Sequence, residues 1–341
     1  MDLLPTEEQQ EIIATVRAQL ERSFDLHALA ALDGSSSMVD RKLWSQCAEL
    51  GWFGLGLTEA LGGVGYTLAE ESLLFAEIGA HATPGPFLAT VLGGRLAALA
   101  GSEDLATKIL SGEVLVALAE PHGAGSARSG SEVTGTFRVT DHGAADLILV
   151  MVGDSAALVD AGDLIAEPMA SIDLQVPTAI GTVAGVKPLA FFDNAPGLTQ
   201  RATVLVAAEL AGIATATAEQ STQYAKDREQ FNTPIGAFQA VKHRCADMAV
   251  RAEAANSLVR YAALTVLDGL PEAAFHAHAA RALASNFAIQ NAQINVQNHG
   301  GIGFTWEHTA HRYVTRALVR SQTFGTTRSH LGALLTQPAP G

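Results

Sequence analysis

The chain reads as an α+β protein in three segments: helical, then β, then helical again. Apolar residues recur at helical spacing before about residue 112 and after about 198, and short β-prone runs fill the stretch between. No GxGxxG follows a strand, and helical and strand patterns are segregated instead of alternating, which argues against a doubly wound α/β fold. The expected division is 1–112 as an N-terminal helical domain, 113–197 as a small middle β-domain and 198–341 as a C-terminal helical bundle.

Thr6-Glu7-Glu8 marks the first helix start, and Ile12, Ile13, Val16 and Leu20 follow at helical spacing. Leu43, Trp44, Cys47, Leu50 and Trp52 give a second amphipathic series, which the Gly-rich ALGGVGYT (60–67) ends. A helix from Leu68 to Ile78 comes next, then a buried one from Phe87 to Ala100 entered through Pro84 and Pro86. VLVALAE (114–120), VTGTFRV (133–139), DLILVMV (146–152), DSAALVDA (154–161) and KPLAFFDN (187–194) read as strands separated by Gly, Asp and Pro. That pitch predicts a small sandwich or barrel. From Thr199 to about Leu335 the helical period returns.

Apolar residues make up 48% of the 341 positions and charged ones 16%, which fits two or three well-buried units. No run approaches the roughly 20 apolar residues of a membrane span, and the start has no basic segment ahead of an apolar one, so the expected location is cytoplasmic. Cys47 and Cys245 are isolated and indicate neither a disulfide framework nor a zinc site. Residues 1–199 hold 9 Lys/Arg against 26 Asp/Glu, while 200–341 hold 12 against 9. The overall charge of −14 argues against nucleic acid as a partner, and the basic C-terminal part suits a phosphate-bearing small ligand.

Three motifs stand out. YAKDREQFNTPIGAFQAVKHRCAD (224–247) places Arg228, Phe231 and Gln239 around a turn at Thr233-Pro234. Arg228 offers a forked donor, Phe231 an apolar face, and Gln239 both donor and acceptor. VQNHGGIGFTWEH (296–308) puts Gln297 ahead of Gly300 and Gly301, a pair that lets a ligand approach the backbone closely. Asn298, His299 and His308 lack a carboxylate or thiol partner at ligand spacing, so no metal site is read there. The third motif, AEPHGAGS (119–126), opens the β segment.

In this order the segments and motifs resemble the acyl-CoA dehydrogenase family over essentially the whole chain, most strongly from about 205 to 332. The resemblance implies an N-terminal helical domain, a small middle β-domain and a C-terminal four-helix bundle. It also implies FAD as cofactor, an acyl-CoA thioester as substrate, and a flavin site shared between subunits, so a homo-oligomer or a heteromer. By the same resemblance Arg228, Phe231, Gln239, Gln297, Gly300, Gly301 and Thr326 meet the cofactor, Leu118 and Ala119 lie near the flavin, and Ser126 lies under the substrate. Ala119 stands where the family usually has a hydroxyl residue.

The family's reaction removes an α-proton with a carboxylate while the β-hydrogen leaves as hydride. Most members carry that glutamate in a Tyr-Glu-Gly-Thr stretch, which here is QTFGTT (322–327), with Phe324 at the glutamate position. The interval of 27 residues from Gln297 to Phe324 is the family spacing without a gap. The other known base position lies early in the first bundle helix, where LTQRATVLVAA (198–208) has no carboxylate. Three functions therefore remain open. The chain is the subunit lacking the base in a heteromeric enzyme, such as those acting on steroid side-chain or other bulky thioesters. Alternatively it is a self-sufficient dehydrogenase using Glu209, His330 or His299, or a non-catalytic FAD- or CoA-binding protein.

Overall fold

The computed structural model describes residues 3–26, 33–35, 38–123, 127, 130–193 and 196–338. Its helix starts follow from local chemistry. In α1 (Glu7–Ser23) the Thr6 side chain accepts from Gln9 N while Thr6 N donates to the Gln9 side chain, so each satisfies the other's open group. Asp40 caps α2 (Arg41–Glu49) by accepting from Lys42 N and Leu43 N. The remaining N-terminal helices are α3 (Leu68–Ala80), α4 (Phe87–Leu99) and α5 (Glu103–Leu110).

Seven strands follow: β1 (Val116–Pro121), β2 (Val133–Thr140), β3 (Leu147–Val152), β4 (Ser155–Asp160), β5 (Ile165–Met169), β6 (Thr178–Val186) and β7 (Ala190–Phe192). After them come α6 (Pro196–Asp227), α7 (Gln239–Leu267), α8 (Ala273–His299), α9 (Ala310–Arg320) and α10 (Thr327–Leu334). A two-stranded hairpin, β8 (Glu229–Gln230) with β9 (Thr233–Pro234), joins α6 to α7. The helix–sheet–helix order is the one expected.

The chain divides into two compact units. The first holds residues 1–31, 68–83 and 203–341. Here α8 packs against α7, α9 and α10, and α1 lies on α3. Small side chains set these distances. A Cβ on Gly79 would fall 1.9 Å from Glu209 O, and one on Gly212 would fall 1.8 Å from Ala76 O, so α3 and α6 meet backbone to backbone. Asn291, Asn295 and Asn298 line one face of α8 and fix its rotation. Asn291 donates to Ala214 O at 3.0 Å and Met248 O at 2.9 Å, Asn295 to Gln220 Oε1 at 2.9 Å, and Asn298 to Ser221 Oγ at 3.0 Å. With these three turned inward, Gln297 is left at the surface. Helix α6 is apolar enough over an 18-residue window (mean hydropathy 1.3) to cross a membrane by length and composition alone. That window is 89% buried, so packing in the protein accounts for its apolarity.

The second unit holds residues 32–67 and 84–202. Its strands form one sheet in the order β5-β6-β2-β1-β3-β4-β7, parallel only between β1 and β3. β5 and β7 are its edges, so hydrogen bonds among the described residues do not close a barrel. One face packs on α4, where Gly93 lets Val116 approach, with a built Cβ only 3.2 Å from that side chain. The other face carries an apolar cluster of Ala117, Ala119, Phe137, Val139, Ile148, Val150, Val159 and Val183. Because both faces are covered, β1 and β3 read as continuous apolar runs. β5 and β6 were not expected. Pro168 suits an edge strand, and at Gly181 the Leu164 side chain packs into the space a Cβ would take, 2.5 Å away.

Candidate functional site

The residues of the first two motifs lie in the helical unit where α6 ends, α7 begins and α8 ends. Three rings in contact, one pair stacked and one tilted, tie that region together. Tyr224 in the last turn of α6 lies on His299 with ring centroids 4.2 Å apart, and His299 lies on His308 at 4.3 Å. Tyr224 O accepts from Arg228 N at 2.9 Å, so the first motif starts from this ladder. His299 is followed directly by Gly300, so the second motif starts from it too.

Arg228 is exposed, and its carbonyl accepts from Ile235 N at 2.8 Å to close the hairpin. The turn falls at Phe231-Asn232, with φ of 54° and 60°, and not at Thr233-Pro234 as the sequence suggested. Two consecutive positive φ values define the tight hairpin turn that matches strand twist, and a bulky residue there is strained. Phe231 is nonetheless 89% exposed and rests edge-on against Phe238 at 6.3 Å. Gln239 opens α7 and is exposed. Gln297 is exposed on the last turn of α8, and its carbonyl accepts from Gly300 N. Gly300 adopts φ 65° and ψ −143°, a conformation restricted to glycine, and no atom lies within 4 Å of a Cβ built on Gly300 or Gly301. Among the described residues Arg228, Gln239 and Gln297 make no side-chain hydrogen bond or ion pair within the chain. Free cationic and amide donors, an exposed ring and open glycine backbone fit a flat, anionic dinucleotide such as FAD.

Phe324 sits half-buried in the turn between α9 and α10 with φ 55°, followed by Gly325 at 107°. Thr326 caps α10 by accepting from Ser329 N at 3.1 Å. Two features of α8 that sequence reasoning missed bear on this turn. Arg281, fully buried, donates to Arg320 O and Thr323 O, each at 2.8 Å. One turn earlier, His278 Nδ1 lies 2.9 Å from His330 Nδ1. The helical spacing of 278 and 281 carried the signal, but their partners are some 40–50 residues away and invisible in one sequence.

Each alternative base is already engaged. Glu209 is 1% exposed and accepts from Arg320 Nε at 2.7 Å. Burial, with Arg281 and then His278, pushes His330 down to about 3, so it is a poor proton acceptor. His299 donates from Nδ1 to Asn295 O at 2.8 Å, and burial lowers its pKa.

The β segment differs. Leu118 and Ala119 lie in the interior of β1, paired on both sides with β2 and β3, and both side chains are buried. Ala119 points into the apolar cluster. Neither side chain presents a polar group. Ser126 lies outside the described residues.

The acyl-CoA dehydrogenase C-terminal domain matches residues 197–336, and the acyl-CoA dehydrogenase N-terminal domain matches 6–114. Acyl-CoA dehydrogenase IpdE2 of Mycobacterium tuberculosis is 33% identical over 333 residues, covering 97% of this chain and 98% of that one. A solved variant of the Tcur3481-Tcur3483 steroid ACAD has a TM-score of 0.85 at 27% identity, over 97% of each chain. The ChsE4-ChsE5 complex from Mycobacterium tuberculosis has a TM-score of 0.87 at 24% identity, over 100% of both chains.

Proposed function

The chain belongs to the acyl-CoA dehydrogenase family, whose cofactor is FAD, and from that premise we propose that it is the base-lacking subunit of a heteromeric acyl-CoA dehydrogenase. The observation that carries this reading is Phe324. The resemblance of QTFGTT (322–327) to the family's Tyr-Glu-Gly-Thr stretch puts Phe324 at the glutamate position, and a phenyl ring accepts no proton.

Dehydrogenation of a thioester removes a proton from Cα and a hydride from Cβ. Bound FAD supplies the acceptor for that hydride. The proton needs a carboxylate of suitable pKa beside Cα, and in this reading it comes from the partner subunit. This chain contributes binding and orientation: Arg228 a forked contact to pyrophosphate, Phe231 an apolar face, and Gln239 and Gln297 amide donors. Gly300, Gly301 and Thr326 bring backbone and hydroxyl groups close. Leu118 and Ala119 contribute at most through the backbone, since their side chains are spent on the sheet core. The paired name of the Tcur3481-Tcur3483 steroid ACAD supports a two-part assembly and a bulky acyl group.

Turnover of an acyl-CoA with an artificial electron acceptor tests the reading. This chain alone should give no dehydrogenation. Co-purified with a base-bearing subunit it should give turnover that disappears when the partner's glutamate is changed to glutamine. Turnover by the chain alone would overturn the proposal in favour of a self-sufficient enzyme.

A further inference from the structure

A cleft of about 560 Å³ lies in the helical unit where the N-terminal segment, α3 and α7 meet. That volume falls within the roughly 300–1,000 Å³ of small-molecule sites. Ala69 and Leu73 lie four residues apart on α3, and Arg260 and Leu264 four apart on α7, so each helix turns one face toward the cleft. Leu3 and Pro5 complete the wall. None of these residues belongs to the 119–126, 224–247 or 296–308 motifs.

The wall is mostly apolar, and Arg260 brings a half-buried cation into it. Among the described residues the Arg260 guanidinium makes one hydrogen bond, from Nη1 to Leu3 O at 3.5 Å, and no ion pair. That distance exceeds the roughly 3.2 Å limit of a good N–H donor bond, so most of its five N–H groups are left for another acceptor. Arg17 of the same unit shows the contrast, since Glu77 accepts from its Nε at 3.0 Å and its Nη2 at 2.8 Å. Arg260 also borders a neighbouring cleft with Glu219 and Glu253, yet pairs with neither. Glu7, the other charged group on the wall, is exposed at the start of α1, where the helix dipole offsets part of its charge.

We propose that this cleft is a binding site for a medium-chain free carboxylate, its head group forked on Arg260 and its chain lying along Leu3, Ala69, Leu73 and Leu264. A planar guanidinium matches a carboxylate with two parallel donors, and the apolar wall takes the chain out of water. A thioester carries no charge at the corresponding carbon, so Arg260 selects the free acid. No residue assigned to the cofactor takes part, and the site does not depend on the function proposed above.

Isothermal titration calorimetry of the full chain tests it, with decanoate, octanoate and 1-decanol as probes. Decanoate should bind saturably, about tenfold more tightly than octanoate, which is two methylenes shorter. Arg260→Gln should weaken decanoate at least about tenfold and decanol little, so that the acid and the alcohol bind alike. Ala69→Trp fills the cleft and should abolish binding of both. Leu264→Glu sets a like charge beside the head group and should weaken decanoate without adding bulk to α3. Circular dichroism of the three variants should match wild type, since Ala69, Arg260 and Leu264 are all only half-buried. Lys108→Gln, in the second unit, should leave binding unchanged. Absence of saturable decanoate binding up to about 1 mM would overturn the site, as would affinity retained in the three cleft variants. Either result leaves the proposed function standing.

Discussion

At position 324 the backbone is strained, with a positive φ in the turn between α9 and α10. A φ of 55° is costly for phenylalanine, yet Arg281, His330 and the Thr326 cap surround the turn and hold it. Phe324→Glu in the co-purified complex should therefore leave assembly unchanged, and in this chain alone it should restore no turnover unless flavin also binds. A second prediction concerns His330. Held at about 3 against the ordinary 6.5, it stays neutral in the folded chain while the unfolded chain gains a proton below 6.5. Its contribution to stability is thus complete above pH 6.5 and drains as pH falls from 6.5 toward 3. At pH 4.5 the loss should be on the order of 2 kcal/mol, and His330→Asn should flatten that part of the curve of urea midpoint against pH. The same scale explains the Glu209–Arg320 pair. Glu209→Gln leaves Arg320 without its counter-charge in the core and should cost about 3 kcal/mol or more in chemical denaturation.

Among the elements, the contact between α3 and α6 decides most. Gly79→Ala or Gly212→Ala places a methyl within 2 Å of a backbone carbonyl, which only separation of the helices relieves. Each should cost about 3 kcal/mol or more, seen as a lowered Tm, whereas Gly332→Ala in α10, with open space around it, should be neutral or slightly stabilising. The elements were largely legible in the sequence where local signals act alone. The helix start at Thr6, the helix from Leu68 to Ile78 and β1 to β4 follow from local signals and periodicity, and the structure places them within a few residues of expectation. β5 and β6 were hidden because Pro168, Gly181 and Gly185 imitate loop chemistry, and only the sheet edge and the Leu164 side chain explain them. The hairpin turn was misplaced for a similar reason: Pro234 is the stronger turn former, but strand pairing puts the positive φ values at Phe231-Asn232.

For the whole molecule, the uneven charge and the uneven surface point the same way. The acidic chain keeps a basic C-terminal part, and that part carries the free donors and exposed rings. Of the site, the residues with bare, outward side chains were readable as motifs. The packing contacts around them, made by half-buried Tyr224 and His278 and by fully buried Arg281, were not, because their partners lie tens of residues away. Arg228→Ala in the assembled enzyme should lower retained flavin several-fold without changing the mass of the complex, since one forked charge-assisted contact is lost. The most direct measurement is the visible absorbance spectrum of this chain, purified alone and purified with a base-bearing subunit. Flavin bound only in the co-purified complex is the result expected of a subunit that completes a shared site. A yellow, catalytically active protein from this chain alone would contradict it.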